Sequence, residues 1–156
     1  MDSRQCGESV VPALKVLVVD SDHEWVRWAA AYLRRFYLLR TASDIPGALR
    51  VLASEHIDVV VSDAAIGDRD AMQLQVALAR VQPGLEQRHV LVTCGGFDGA
   101  LSAFLKTSTS PVLYKDLRFG DLWRAIEELS RFVVREERPK AVGVRKAANR
   151  LSRLAC

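Results

Sequence analysis

Four short apolar runs in this chain each lead into a residue with chemical potential. They are Lys15-Val-Leu-Val-Val19 before Asp20, Asp58-Val-Val-Val-Ser62 before Asp63, His89-Val-Leu-Val92 before Thr93, and Val112-Leu-Tyr114 before Lys115. Stretches of helical period separate the runs, and this alternation is the signature of βα units and a parallel sheet. Parallel strands would bring all four residues to one sheet edge, where ligands of open α/β sheets bind.

The expected strands span 15–19, 37–41, 59–62, 89–93 and 112–114. The first expected helix, 24–35, carries Trp25, Val26, Ala29, Leu33 and Phe36 as an inner stripe, with Trp28 and Tyr32 partly buried beside it. The second is capped by Ser43 or Asp44, has Pro46 in its first turn and turns Ala48, Leu49 and Leu52 inward. The third spans 71–81, capped by Asp70 and stopped by Pro83-Gly84, and a short fourth spans 98–106. The fifth is capped by Asp121, presents Leu122, Ile126, Leu129 and Val133 on one face, and breaks at Arg138-Pro139. The turn between the fourth strand and fourth helix falls on Cys94-Gly95-Gly96.

A chain of 156 residues, 49% apolar and 26% charged, suits one globular domain, and no apolar stretch is long enough to span a bilayer. Residues 1–13 read as a flexible arm without the apolar core of an export signal, so the expected location is the cytoplasm. Cys6, Cys94 and Cys156 have neither disulfide-framework nor zinc-ligand spacing, and His23, His56 and His89 share no ligand spacing and read as surface or strand-edge residues. The net charge of +3 conceals an asymmetry: residues 138–156 hold six basic residues and no acid, so the preceding 137 residues carry −3. Within that tail, Val144, Ala147, Ala148, Leu151 and Leu154 share a helical face. It reads either as a solvated terminal helix or as a docking element for an acidic partner, an anionic lipid surface or nucleic acid. It is too short for a helix-turn-helix domain, and no DNA-binding motif is present.

In order and spacing, Asp20, Asp63, Thr93 and Lys115 resemble the functional positions of response regulator receiver domains of two-component and phosphorelay systems. The resemblance covers most of the chain, the expected receiver domain being 14–137. It implies a flavodoxin-like (βα)5 doubly wound parallel sheet in order 2-1-3-4-5, followed by the basic C-terminal helical tail. It also implies that Asp63 is the phosphoacceptor, taking a phosphoryl group from the phosphohistidine of a histidine kinase or phosphotransfer protein. Mg²⁺ would be held by Asp20, Asp63 and the carbonyl of Ala65, with Asp22 acting through water. Thr93 matches the hydroxyl that approaches a phosphoryl oxygen, and Lys115 the lysine that pairs with the phosphoryl charge. The segment Thr93-Cys-Gly-Gly-Phe97 and the residues up to Lys115 are similar to receivers attached to hybrid histidine kinases.

The chain departs from the family pattern in four places. Ser21 replaces the second acid of the metal-binding pair, and Asp116 replaces the proline after the lysine, which implies a trans peptide and a less firmly placed Lys115. Residues 64–71 lack the Met-Pro turn, and Val112 takes the place of the switch aromatic, with Tyr114 two residues later. Two other readings stay open. One is a pseudo-receiver that binds partners without being phosphorylated. The other is a phosphatase of the haloacid-dehalogenase type, which Asp20-Ser21-Asp22 also resembles, with Asp20 as nucleophile and Asp22 as general acid/base.

Overall fold

The computed structural model describes residues 13–136. Residues 1–12 of the N-terminal arm, the basic tail, Cys6 and Cys156 therefore lie outside the described residues. Five strands form one parallel sheet: β1 (Lys15–Val19), β2 (Leu38–Ala42), β3 (Val59–Asp63), β4 (His89–Thr93) and β5 (Val112–Tyr114). Their order is β2-β1-β3-β4-β5, the expected doubly wound arrangement. The helices are α1 (His23–Leu33), α2 (Ile45–Ser54), α3 (Ala71–Val81), α4 (Gly99–Thr107) and α5 (Phe119–Glu136).

The sheet divides the core in two. Val16, Val18, Val59, Val61, Val90 and Val92 pack against Leu33 of α1 and Leu122 and Ile126 of α5. On the opposite face, Leu17, Val19 and Val60 pack against Leu52 of α2 and Leu74 and Leu78 of α3. Strands covered on both faces have no polar side to show, which is why their sequences read as unbroken apolar runs. By contrast, α4 has no buried side chain; Leu101, Phe104 and Leu105 are only half-buried.

Helix starts follow local chemistry. Asp44 accepts from the Gly47 N–H, and Asp70 exchanges hydrogen bonds with Gln73 in a complete capping box. Helix α5 begins two residues before Asp121, so Asp121 lies in the first turn and is not the cap. Phe36 and Trp28 also differ from expectation, being 42% and 59% exposed. Helix α1 ends at Leu33, so Phe36 falls beyond the register of the inner stripe. Trp28 projects outward, with the Arg27 guanidinium over its ring. Tyr37 is buried ahead of β2, and its hydroxyl donates to Glu127. No helix among the described residues is long and apolar enough to cross a membrane.

The two environments predict opposite outcomes for two truncations. Leu17→Ala opens a cavity at a fully buried position and is expected to cost about 2–5 kcal/mol. Trp28→Ala is expected to change stability by no more than about 0.5 kcal/mol. Urea denaturation of the two variants checks both values.

Candidate functional site

The carboxyl edge of the sheet collects side chains from three strands. Asp20 follows β1, Asp63 ends β3 and Lys115 follows β5. The Lys115 ammonium lies 2.9 Å from Asp20 Oδ2 and 3.0 Å from Asp63 Oδ2. Asp22 Oδ2 is farther away, at 3.9 Å. The backbone fixes this convergence: the Lys115 N–H donates to the Thr93 carbonyl at 2.9 Å, carrying the β4–β5 pairing into the loop. All peptide bonds among the described residues are trans, as the replacement of proline by Asp116 implies. The ammonium also sits 5.4 Å above the centre of the Trp25 ring. Trp25 was legible only as a residue of the inner stripe.

The carboxylates differ in access. The Asp20 side chain is closed to solvent, that of Asp63 is 14% exposed and that of Asp22 is 51% exposed. Asp20 Oδ1 accepts from the Asp22 N–H, and Asp22 Oδ1 caps α1 by accepting from the Trp25 N–H. Burial raises the Asp20 pKa above its ordinary value, more than the Asp22 N–H and Lys115 lower it. Burial alone would lower the Lys115 pKa, but the hydrogen bonds that its ammonium donates to Asp20 and Asp63 outweigh it and the net shift is upward.

Thr93 is buried, its hydroxyl accepting from the Gly95 N–H at 3.1 Å. Asp63 pairs with Val92 in the β3–β4 ladder, so Thr93 stands one residue beyond Asp63 on the neighbouring strand. Gly95 adopts a left-handed φ of 82°, and a Cβ there would press on the Tyr114 ring at 3.4 Å. Beyond Asp63, residues 65–66 and 69–70 form a small antiparallel ribbon, turned by Gly67 at a φ of 64°. The Ala65 N–H donates to Asp63 Oδ1 at 3.3 Å. A cavity of about 440 Å³ opens beside Asp20, and another of about 330 Å³ lies against Thr93 and Tyr114; Asp63 lines neither.

As a donor set, Asp20 and Asp63 direct two hard oxygens at one positive centre. That chemistry fits a cation that takes one or two carboxylates and fills its remaining positions with carbonyl and water. No group of three or more acidic, histidine or cysteine side chains with metal-holding geometry occurs among the described residues.

The histidines divide. His23 and His56 are exposed, whereas His89 is fully buried and bonded to Ser62, not a surface or strand-edge residue.

Solved structures share this fold. A CheY-like response regulator receiver domain protein from Methanospirillum hungatei JF-1 superposes with a TM-score of 0.69 at 19% identity, over 80% of this chain and 99% of that one. The chain has the receiver-domain fold. The signal receiver domain of an HD domain-containing protein from Pseudomonas fluorescens Pf-5 gives 0.64 at 24% identity, covering 75% and 94% of the two chains. The signal receiver domain of a signal transduction histidine kinase from Syntrophus aciditrophicus gives 0.66 at 18%, covering 80% and 96%. No family model and no curated protein matches the sequence.

The receiver fold of this chain thus keeps an acid buried whose ionised form it disfavours. A group with a raised folded-state pKa binds its proton more tightly folded than unfolded, so its contribution to stability falls as pH rises from 3.8 through the folded value. Asp20→Asn is therefore expected to be more stable than the wild type at neutral pH in chelator-containing buffer. The difference should vanish below 3.8, where Asp20 is neutral in both states. Urea titrations across that range measure it.

Proposed function

We propose that this protein is a phosphoaccepting receiver, a signalling protein that takes a phosphoryl group from phosphohistidine onto Asp63 and passes the signal on by altered binding. The observation that carries the reading is the Lys115 ammonium shared by Asp20 and Asp63, with only Asp63 of that pair open to solvent. An oxygen of Asp63 forms the new O–P bond in line as the P–N bond breaks and the imidazole leaves with its electron pair. Lys115, already bound to Asp63, follows the charge onto the phosphoryl oxygens, and the Thr93 hydroxyl donates to one of them. Mg²⁺ would be held by Asp20, Asp63 and the Ala65 carbonyl, with Asp22 through water, and would supply charge neutralisation at the phosphoryl group.

The donor would be a histidine kinase or a phosphotransfer protein. The receiver of a histidine kinase among the structural neighbours supports this choice, and a cytoplasmic setting goes with it. The phosphatase reading needs Asp20 as an accessible nucleophile, whereas its side chain is closed to solvent and Asp22 is engaged in capping α1.

Incubation with acetyl phosphate and Mg²⁺ is expected to add one acid-stable, base-labile phosphoryl group, read by intact mass. Asp63→Asn should abolish the adduct and Asp22→Asn only weaken it; an adduct on Asp20 that survives Asp63→Asn would sink the proposal. Ser21→Asp adds charge beside the cation and should tighten Mg²⁺ binding in a fluorescence titration, since charge count helps set affinity for hard cations.

A further inference from the structure

His89 takes no part in the site described above, yet it lies one hydrogen bond from the residue before Asp63. It is the first residue of β4 and fully buried. The β3–β4 register pairs His89 with Val60 and Leu91 with Ser62, so His89 and Ser62 are diagonal neighbours on one sheet face. His89 Nε2 is 2.7 Å from Ser62 Oγ. The same hydroxyl donates to the Asp63 backbone carbonyl at 3.1 Å.

Proton counting favours one direction. A serine hydroxyl has one hydrogen, and if the Asp63 carbonyl receives it, the hydrogen in the 2.7 Å contact must come from His89 Nε2. His89 Nδ1 has no partner among the described residues. The opposite tautomer would strand a buried N–H donor at Nδ1 and also take the hydroxyl hydrogen away from the Asp63 carbonyl. It loses at both ends. Burial holds the imidazole pKa down to about 3, so the ring is neutral throughout the working range.

We propose that His89, held as the Nε2–H tautomer, is a positioning residue that acts through Ser62 to fix the peptide carbonyl of Asp63 and so the aim of its carboxylate. The assignment rests on the phosphoacceptor reading. It adds a support to Asp63 from the core side of the sheet, opposite in kind to the charge support from Lys115. The chain of contacts runs from a side chain inside the core to the backbone of the reacting residue.

Two measurements test it. Long-range ¹H–¹⁵N spectra of the wild-type imidazole at neutral pH should show the Nε2–H tautomer for His89, and an Nδ1–H or charged ring would overturn the assignment. Phosphorylation by acetyl phosphate with Mg²⁺, followed by intact mass, should slow about tenfold in Ser62→Ala and in His89→Leu, the scale of one lost buried hydrogen bond. The double variant should be no slower than Ser62→Ala, because both changes break one chain of contacts. His89→Gln, whose amide can donate from near the Nε2 position, should recover most of the rate. Folded single variants that react at the wild-type rate would overturn the proposal. Should the leucine variant fail to fold, Ser62→Ala and the wild-type spectrum decide. Wild-type protein that takes no phosphoryl group would instead overturn the functional reading, whatever tautomer His89 shows.

Discussion

One ammonium between two carboxylates organises the carboxyl edge. Asp20 is closed to solvent, and burying an ionised carboxylate costs several kcal/mol unless an opposite charge and hydrogen bonds meet it. Lys115 and the Asp22 N–H supply both. They do not offset burial completely, since the Asp20 pKa remains raised. The same contacts therefore favour the charged Lys115 while the ionised form of Asp20 stays disfavoured by its burial.

Sheet order explains how two separated carboxylates reach one ammonium. The chain leaves β1 toward β2 on one side and returns to β3 on the other, so β1 and β3 are neighbours whose connections diverge. The crevice at such a reversal is where open α/β sheets bind ligands, and Asp20 and Asp63 flank it. Lys115 must reach in from β5, two strands beyond Asp63. Its length spans the gap, while the Trp25 ring faces its ammonium and the Thr93 carbonyl fixes its backbone.

The strands and their polar ends were legible because burial on both faces leaves an uninterrupted apolar signal that stops where the strand meets the edge. Helix α3 was legible to the residue, since Asp70 and Gln73 write its start in local chemistry. Other features depend on tertiary geometry. The outward aim of Trp28 reflects the rotational setting of α1 against the sheet, which a helical period does not give. The bond between Ser62 and His89 depends on the register of β3 against β4. In a strand apolar on both faces, no alternation in the sequence reveals which residues share a side. The placement of Lys115 was obscured for another reason: the proline expected after it is replaced, while the backbone bond that holds it comes from a neighbouring strand.

The packing of the helices bears on how a charge placed on Asp63 could be passed on. Helices α1, α2, α3 and α5 each bury side chains in a core half, so displacing any of them exposes apolar surface. Helix α4 buries none and is reached through the glycine pair 95–96, both residues with left-handed φ. The Thr93 hydroxyl is tied to the Gly95 N–H, and Gly95 is overlain by the Tyr114 ring. If Thr93 turns toward a phosphoryl oxygen, that N–H loses its acceptor, and the adjustment falls on the segment with the least packing to lose. Local opening concentrates where few apolar contacts oppose it. The Thr93 hydroxyl is thus tied to the glycine loop that leads into the least anchored helix among the described residues.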